Sequence, residues 1–566
     1  MAFPSVTAQA RAPESLPIAA PFEVGDSPAG NYLAARVADA ERDTMAAATF
    51  FREALRFDPR NPNLVERAFV AAVSNGNMED AIDLAGRLLS HDPKHGVARL
   101  VLGVKAMKAR RFAAARAHFA AGGIGQQHDV TSTLLNAWTY AGGHDTRRSL
   151  TMLDKLKGEN FQVFRNYHAA LIAAAANDSQ EALRRVRSAY AADKNTLRLV
   201  DAYARIMARH GDRGEAVRAY EDFDQRFPNN PIVSAALASV KSGTPVEPLV
   251  KSAEEGAAEV LYGLGAAGGQ QGDELWAMIY LRLALYLAPH NSAAIITLGE
   301  LYERTKQNEQ AIDVYRTVRE GDPLRTMAEI QTAQVLEAMG RPDEATKYLK
   351  RIVDENPGSE EALTALGSLQ RAHKQYADAI ETYSRALAKT AKPQKSGWVT
   401  YYFRGISYER EKKWPQAQAD LMQALALYPE QPLVLNYLGY SWVDQGVNLE
   451  EGFNMLQRAV ELRPTDGYIV DSLGWAHYKL GRNDEALKQL ERAIDLKPSD
   501  PVINDHLGDA YWRAGRKLEA HFQWNHARDL GPEPEDKAKI LHKIEHGLDS
   551  EPKPAAAQAE EKKNGG

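Results

Sequence analysis

The sequence predicts an all-α protein, an α-α superhelix of about 14 helix-turn-helix repeats, some of them degenerate. The main evidence is a 34-residue period in which small residues and prolines return at fixed positions. The residues that show it most clearly are Pro289, Pro323 and Pro357, with Ala277, Ala311, Ala345 and Ala379. Such a period is typical of arrays in which each unit buries its apolar face against the next unit.

The N-terminal part, residues 28–257, keeps this pattern in divergent form. Residues 28–61 carry Ala47 and Phe51 in phase, and residues 197–230 carry Gly211 and Ala216. The stretches around 124–162 and 231–257 are helical in pattern but have lost the repeat signature. We expect a divergent first array here, with bent joints at the degenerate stretches.

The regular part, residues 258–534, repeats a glycine in phase, and the pattern resumes after a short insertion near residue 392. The glycines are Gly265, Gly299, Gly367, Gly405, Gly439, Gly474 and Gly508. In the clear unit 292–325, Gly299 on the first helix should let the second helix approach closely. Tyr302 and Tyr315 are large enough to fill the space between neighbouring units, and a proline after the second helix prevents its continuation.

The two ends of the chain differ from the arrays. Residues 535–548 predict a capping helix, while 549–566 and 1–27 are expected to be disordered. Residues 8–10 read Ala-Gln-Ala, the small-x-small pattern cut by signal peptidase, but no basic and apolar segment precedes them. A clipped signal peptide and a chance match in an alanine-rich leader both remain open.

Composition excludes several classes of function. The chain has no cysteine, which excludes disulfides, zinc-thiolate sites and thiol catalysis. A mild net charge of −6 without basic runs argues against nucleic acid as a partner. No apolar stretch approaches the ~20 residues that span a bilayer.

Two short motifs have the residue types of chemical sites. Residues 263–268 read G-L-G-A-A-G, but a dinucleotide site needs a preceding strand, and the residues before it read as helix. His542 and His546 could share a metal ion, yet the zinc-protease motif is absent, so surface histidines are the simpler interpretation. The sequence therefore predicts no catalytic residues, no cofactor and no metal.

The period and its residue types resemble the tetratricopeptide repeat, most clearly in residues 292–325 and 501–534. In that family the first helix of each repeat lines a concave face where protein ligands lie. This resemblance implies a protein-binding groove lined by aromatic and charged side chains: Tyr402, Phe403, Tyr437, Tyr440, Tyr468, Asp471, Trp475, Tyr478, Lys479, Asp505, Asp509, Trp512 and Arg513. Some of these rings could instead pack the first helices on their neighbours.

A narrower resemblance is to the large exported tetratricopeptide proteins of Gram-negative bacteria. It rests on the runs GNYLAAR (30–36), ERAF (66–69), GAAEVLYGL (256–264), VDSLGW (470–475) and DHLGD (505–509). That group includes lipoprotein adaptors that assemble with a periplasmic carboxyl-terminal processing protease. The resemblance implies a periplasmic scaffold that presents substrates to such a protease or to cell-envelope machinery. The missing cysteine departs from the lipoprotein pattern and puts a lipid anchor in doubt.

Two other classes stay open. One is a cytoplasmic scaffold for regulation or complex assembly. The other is an enzyme with an active site built from solenoid helices. The sequence does not specify the partner, the oligomeric state or the half of the solenoid that binds.

Overall fold

The computed structural model describes residues 24–121, 128–158, 161–389 and 395–548. Thirty α-helices and no strand are assigned in these ranges, which confirms the all-α superhelical fold. The helices form six antiparallel pairs, a single helix, eight further pairs and a final cap, so the expected 14 helical hairpins are present.

The first six pairs and the single helix have the following bounds: α1 Pro28–Ala40, α2 Thr44–Phe57, α3 Pro62–Asn75, α4 Met78–His91, α5 Gly96–Lys108, α6 Phe112–Ala121, α7 His128–Gly142, α8 Thr146–Leu153, α9 Gln162–Ala175, α10 Ser179–Ala192, α11 Leu197–His210, α12 Arg213–Arg226 and α13 Pro231–Ser242.

The remaining helices are α14 Ala253–Gln270, α15 Glu274–Leu287, α16 Ser292–Arg304, α17 Asn308–Tyr315, α18 Arg325–Ala338, α19 Pro342–Glu355, α20 Glu360–Ala372, α21 Tyr376–Lys389, α22 Trp398–Arg410, α23 Trp414–Leu427, α24 Pro432–Asp444, α25 Leu449–Leu462, α26 Gly467–Lys479, α27 Asn483–Leu496, α28 Pro501–Arg513, α29 Lys517–Asp529 and α30 Pro534–His546. We call the first helix of each hairpin helix A and the second helix B.

The repeated glycine of helix A packs against a large side chain of helix B in the same hairpin. A Cβ on Gly299 would lie 2.2 Å from the ring of Tyr315, and one on Gly508 would lie 2.5 Å from the indole of Trp524. The expectation that this glycine allows close approach is confirmed. Tyr315 therefore fills its own hairpin, and its assignment to the space between units was wrong. Tyr302 does reach the preceding hairpin, where Arg282 donates to its hydroxyl at 2.6 Å.

The G-x-G-x-x-G stretch lies within α14, and the residues before it are helical, as predicted. A Cβ on Gly265 would meet Leu281 of α15 at 2.7 Å. Gly265 therefore allows α14 and α15 to pack closely.

The chain divides into two compact units that meet within α19, between Tyr348 and Leu349. The sequence boundary at 257/258, drawn by repeat regularity, instead falls inside α14. The predicted leader and tail lie outside the described residues except for 24–27. The predicted cap, 535–548, corresponds to α30.

In the first unit, helices α14 and α15 pack against the A helices of the N-terminal hairpins. Helix α15 contacts α3 and α5, and α14 contacts α7 and α9. The side chain of Arg282 lies against Gly76, and the Lys108 ammonium donates to the carbonyl of Tyr286 at 2.6 Å. The inner face of the first array is therefore covered by helices of the same unit.

A buried ionic cluster fixes α14 in this position. Glu259 of α14, 4% exposed, accepts from the Tyr167 hydroxyl at 2.7 Å and from the Arg198 guanidinium at 3.0 Å. Burial alone would raise the pKa of Glu259, but the Arg198 charge and these hydrogen bonds lower it overall. The carboxylate is therefore charged and paired in the interior.

Candidate protein-binding face

In the second unit, neighbouring A helices contact one another directly: α20 contacts α22, and α26 contacts both α24 and α28. This close spacing places the A helices on the inner side of the array. Side-chain caps set where they begin: Gln431 accepts from the first turn of α24, Asp466 from α26 and Asp500 from α28. Proline occupies the first position of α24 and α28, where a missing N–H costs nothing.

The structure separates the thirteen predicted groove residues into three groups. Four are buried: Tyr402, Asp471, Tyr478 and Asp509. Seven are half-buried: Phe403, Tyr437, Tyr440, Trp475, Lys479, Asp505 and Trp512. Two are exposed, Arg513 and Tyr468, and the latter is 51% exposed. The buried group packs helices together and offers little surface to a partner.

An aromatic cluster joins α22 and α24. Tyr402 contacts Phe403 at a ring distance of 5.2 Å and Tyr437, edge to face, at 6.0 Å. The Tyr437 hydroxyl donates to Glu409 at 3.0 Å, and the Arg371 guanidinium lies 4.5 Å above Phe403. Arg371 was not predicted, because it lies on α20, outside the helices from which the groove residues were chosen.

Trp475 of α26 is stacked between two neighbours. Its ring lies 4.0 Å from His506 and 4.7 Å from Tyr478, nearly parallel to both. Its indole N–H points to Asp444 at 3.4 Å, and Lys479 forms an ion pair with the same carboxylate at 3.1 Å. Trp475 therefore serves packing and also presents an edge to the inner face.

His506 explains the buried position of Asp471. Its Nδ1 lies 3.0 Å from both carboxylate oxygens. Burial disfavours the charged ring, but the Asp471 carboxylate outweighs this and raises the pKa of His506. Asp471 is thus engaged by α28 rather than presented to a partner.

The C-terminal helix α30 covers the far end of this face. The Lys543 ammonium lies 2.9 Å from Asp505 and 2.8 Å from Asp509. The Trp524 indole also donates to Asp509 at 2.9 Å, and a Cβ on Gly547 would lie 2.2 Å from the Trp512 ring. Burial raises the pKa of Asp509 to about 6, assisted by Asp505 and opposed by Lys543. These three groove residues are therefore occupied by the chain's own helix.

Lys543 was missed by the sequence reasoning, although a signal was present. It lies three residues after Ile540, which is buried, and so shares the apolar face of an amphipathic helix. A lysine on such a face needs a buried acidic partner. The aspartates of the last A helix were the nearest candidates.

The accessible part of the inner face is an aromatic and charged row along α22, α24, α26 and α28. It consists of Phe403, Tyr437, Tyr440, Trp475, Lys479 and Arg513, with Arg410 and Asp444 beside them. We call this set of residues the inner row. Elsewhere in the second unit, an ion pair between Lys374 and Glu533, 3.2 Å apart, connects the loop before α21 to the loop before α30.

Models of the tetratricopeptide repeat match three segments, 67–127, 330–395 and 474–515. The chain contains tetratricopeptide repeats. The matches fall in both units, and they include the hairpins that carry Arg371 and Trp475.

Two curated proteins are similar to part of the repeat array. Over 194 residues the chain is 28% identical to the TPR repeat-containing protein PA4667 of Pseudomonas aeruginosa, covering 34% of this chain and 32% of that protein. Over 183 residues it is 26% identical to Protein O-mannosyl-transferase TMTC1 of Homo sapiens, covering 32% and 20%. The chain thus spans about a third and a fifth of these relatives.

Solved structures share helical repeats with this chain. A chain of the APC/C hetero-tetramer Cut9-Hcn1 gives a TM-score of 0.41 at 14% identity, covering 93% of this chain and 97% of that one. Yeast Tom70 gives 0.30 at 13% identity, covering 94% and 99%. YrrB, described as a TPR protein with an unusual peptide-binding site, gives 0.27 at 22% identity, covering 35% and 97%. At these scores the similarities carry no argument about function.

Within the described ranges, no helix has both the length and the apolar character needed to cross a bilayer.

Proposed function

We propose that this protein is a non-catalytic scaffold that binds a protein partner along the inner row of the second unit. The observation that carries the proposal is the row itself, in which half-buried aromatic rings and charged side chains lie together on neighbouring A helices. The comparable face of the first unit is covered by α14 and α15, so the second unit offers the more accessible inner surface.

The chemistry of the row fits protein recognition. Aromatic and arginine side chains held in a fixed position supply much of the binding energy at protein interfaces. Tyr440 and Phe403 are held by neighbouring helices and keep part of their rings accessible. Lys479 and Asp444 add an ion pair at the edge, where charges set orientation more than affinity.

The proposed biological role is that of a periplasmic adaptor that presents substrates to a processing protease or to cell-envelope machinery. Supporting it are the Ala-Gln-Ala pattern at residues 8–10 and the family resemblance of runs such as 470–475. A cytoplasmic scaffold is the alternative.

The test is affinity purification of the tagged protein from its native host, beside a Tyr440→Ala/Lys479→Glu variant. These changes alter the inner row but leave Trp475 and Trp512, which hold helices together, in place. Met422→Ala is the matched control, because Met422 is 51% exposed on helix B of the same unit. We expect a protein partner with wild type and control but not with the inner-row variant.

Two results would decide against the proposal. If the variant, shown to be folded by its circular dichroism melt, retains every partner, the inner row is not the binding face. Cell fractionation tests the compartment separately: protein found only in the cytoplasm would refute the periplasmic role and leave the scaffold role standing.

A further inference from the structure

Arg371, in the last turn of α20, is held by aromatic rings rather than by an acidic side chain. Its guanidinium lies 4.5 Å above the ring of Phe403. Burial raises the pKa of Tyr383 and of Tyr402, and the nearby Arg371 charge opposes this in both. The guanidinium therefore lies among three rings of α21 and α22.

The donors of Arg371 are not all satisfied. Its Nε atom is buried without a hydrogen bond, and no ion pair involves Arg371 in the ranges that the structure describes. A guanidinium carries five N–H donors in a planar fork, and one that is stacked on a ring can still receive a carboxylate at its edge. Because a buried donor without an acceptor is costly, the site would gain from an acceptor brought by another molecule.

Arg410, the last residue of α22, is a second cation at this edge of the inner face. Its side chain is 58% exposed. The carboxylate beside it, Glu409 at 3.5 Å, also accepts from the Tyr437 hydroxyl at 3.0 Å. Burial would lower the pKa of Arg410, but Tyr437, Glu409 and Tyr376 raise it overall. Tyr376 is the first residue of α21, so Arg410 lies near the turn that follows α20.

Lys374 lies in that turn and supplies a third cation. It is 67% exposed and pairs with Glu533 only at the surface, where ion pairs contribute little. This pair spans four intervening hairpins, so the inner face curves back on itself. The space in front of the inner row is therefore narrow and fits an extended segment better than a folded domain. We call Arg371, Lys374 and Arg410 the basic end.

The other end of the inner face is acidic, and the chain neutralises it. The aspartates of α24, α26 and α28 each have a cation from the next A helix or from the cap: Asp444 has Lys479, Asp471 has His506, and Asp505 and Asp509 share Lys543. Arg371 has no such counterpart in the described part of the chain. The charge that complements the basic end must therefore come from a partner.

We propose that the basic end anchors an acidic side chain, Asp or Glu, of an extended segment of the partner, with the carboxylate on the Arg371 guanidinium. This inference rests on the proposed function, because the segment lies along the inner row. Arg410 and Lys374 attract the carboxylate, and the Phe403 ring keeps the guanidinium in place. The rest of the segment then runs towards Tyr440.

Selection of random linear peptides displayed on phage, against the full chain, tests the proposal. We expect Asp or Glu to be enriched at one fixed position of the selected sequences. The same selection against Arg371→Gln/Arg410→Gln should lose this enrichment. Arg385→Gln is the matched control and should keep it, because Arg385 is exposed on α21, a B helix outside the inner row. Circular dichroism melts establish that each variant is folded.

Fluorescence anisotropy with one selected peptide measures the contact itself. Replacing the acidic residue of the peptide by its amide should weaken binding to wild type at least about tenfold, and this comparison needs no change in the protein. Arg371→Gln should cause little further loss with the amide peptide, because both changes remove the same contact. Binding of the acidic peptide should also weaken as the salt concentration rises.

Four results would overturn the inference. The library could yield no peptide that binds, the selected peptides could show no acidic position, the amide peptide could bind as tightly as the acidic one, or Arg371→Gln could bind the acidic peptide as tightly as wild type. Partner capture that depends on Tyr440 and Lys479 is measured separately. If that dependence holds while any of these four results is found, the proposed function stands and only the acidic anchor is refuted.

Discussion

Removing the ammonium of Lys543 should weaken the packing of α30 on α28 and α29. Its side chain is 8% exposed and lies within 3 Å of Asp505 and Asp509, whose side chains are 16% and 4% exposed. In Lys543→Met the two carboxylates lose the ammonium that both of them contact in a buried site. Breaking a buried ion pair from one side costs about 3–5 kcal/mol. The cost arises because Asp505 and Asp509 then lack the ammonium that neutralises them in the interior.

The assay is amide hydrogen exchange of residues 534–548, because exchange reports local opening free energies helix by helix. A loss of about 3 kcal/mol corresponds to protection lower by roughly 100-fold. The pH dependence follows from the raised pKa of Asp509, about 6. The folded chain binds a proton there that the unfolded chain releases, so stability rises as pH falls through 6 towards 4. Loss of the lysine raises this pKa further, and the deficit of the variant should shrink between pH 8 and pH 5.

Lys539→Met is the matched control, because Lys539 is 66% exposed and pairs with Asp536 only at the surface. Its effect should stay within ~0.5 kcal/mol. If Lys543→Met keeps the protection of wild type at pH 8, or loses as much at pH 5 as at pH 8, the buried ion cluster does not hold the cap.

Two further predictions concern the hairpin and the first unit. Gly299→Ala places a Cβ 2.2 Å from the ring of Tyr315 and should lower the free energy of unfolding by about 1–3 kcal/mol. Gly86→Ala is the control, because Gly86 has open space around it and the added Cβ should cost nothing. Thermal unfolding of both variants tests this. Glu259→Gln leaves the Arg198 guanidinium without its carboxylate and should cost about 3 kcal/mol, measured by urea unfolding. The control is Glu221→Gln, which should cost less than ~1 kcal/mol because Glu221 pairs with Lys241 at the surface. Because the pKa of Glu259 is lowered, its contribution is present above the ordinary glutamate pKa and is lost as pH falls through the lowered value.

Much of the local structure was predictable because it depends on neighbours in sequence. A glycine in phase on helix A packs against the side chain sixteen residues later, as Gly299 does against Tyr315 and Gly508 against Trp524. The close approach within a hairpin returns with the repeat, so one unit predicts it in the next.

The candidate site was predicted only in part. The periodicity located the A helices, but it did not say which of their side chains face solvent. Trp475 and Asp471 occupy neighbouring places on α26, yet Asp471 is buried by a histidine from α28 while Trp475 keeps an accessible edge. That distinction depends on the identity of the residue that approaches from the next hairpin.

By itself, the sequence determined the repeat, the helices and the presence of an aromatic and charged inner row. Tertiary structure alone decided which inner faces stay open. An amphipathic pattern shows that a face is buried, but it does not identify the covering element when that element is distant in sequence. Helix α15 covers α3 from about 200 residues away, and α30 places Lys543 on the aspartates of α28. The first contact depends on how successive hairpins rotate along the array, and the second depends on which side chain the neighbouring helix presents.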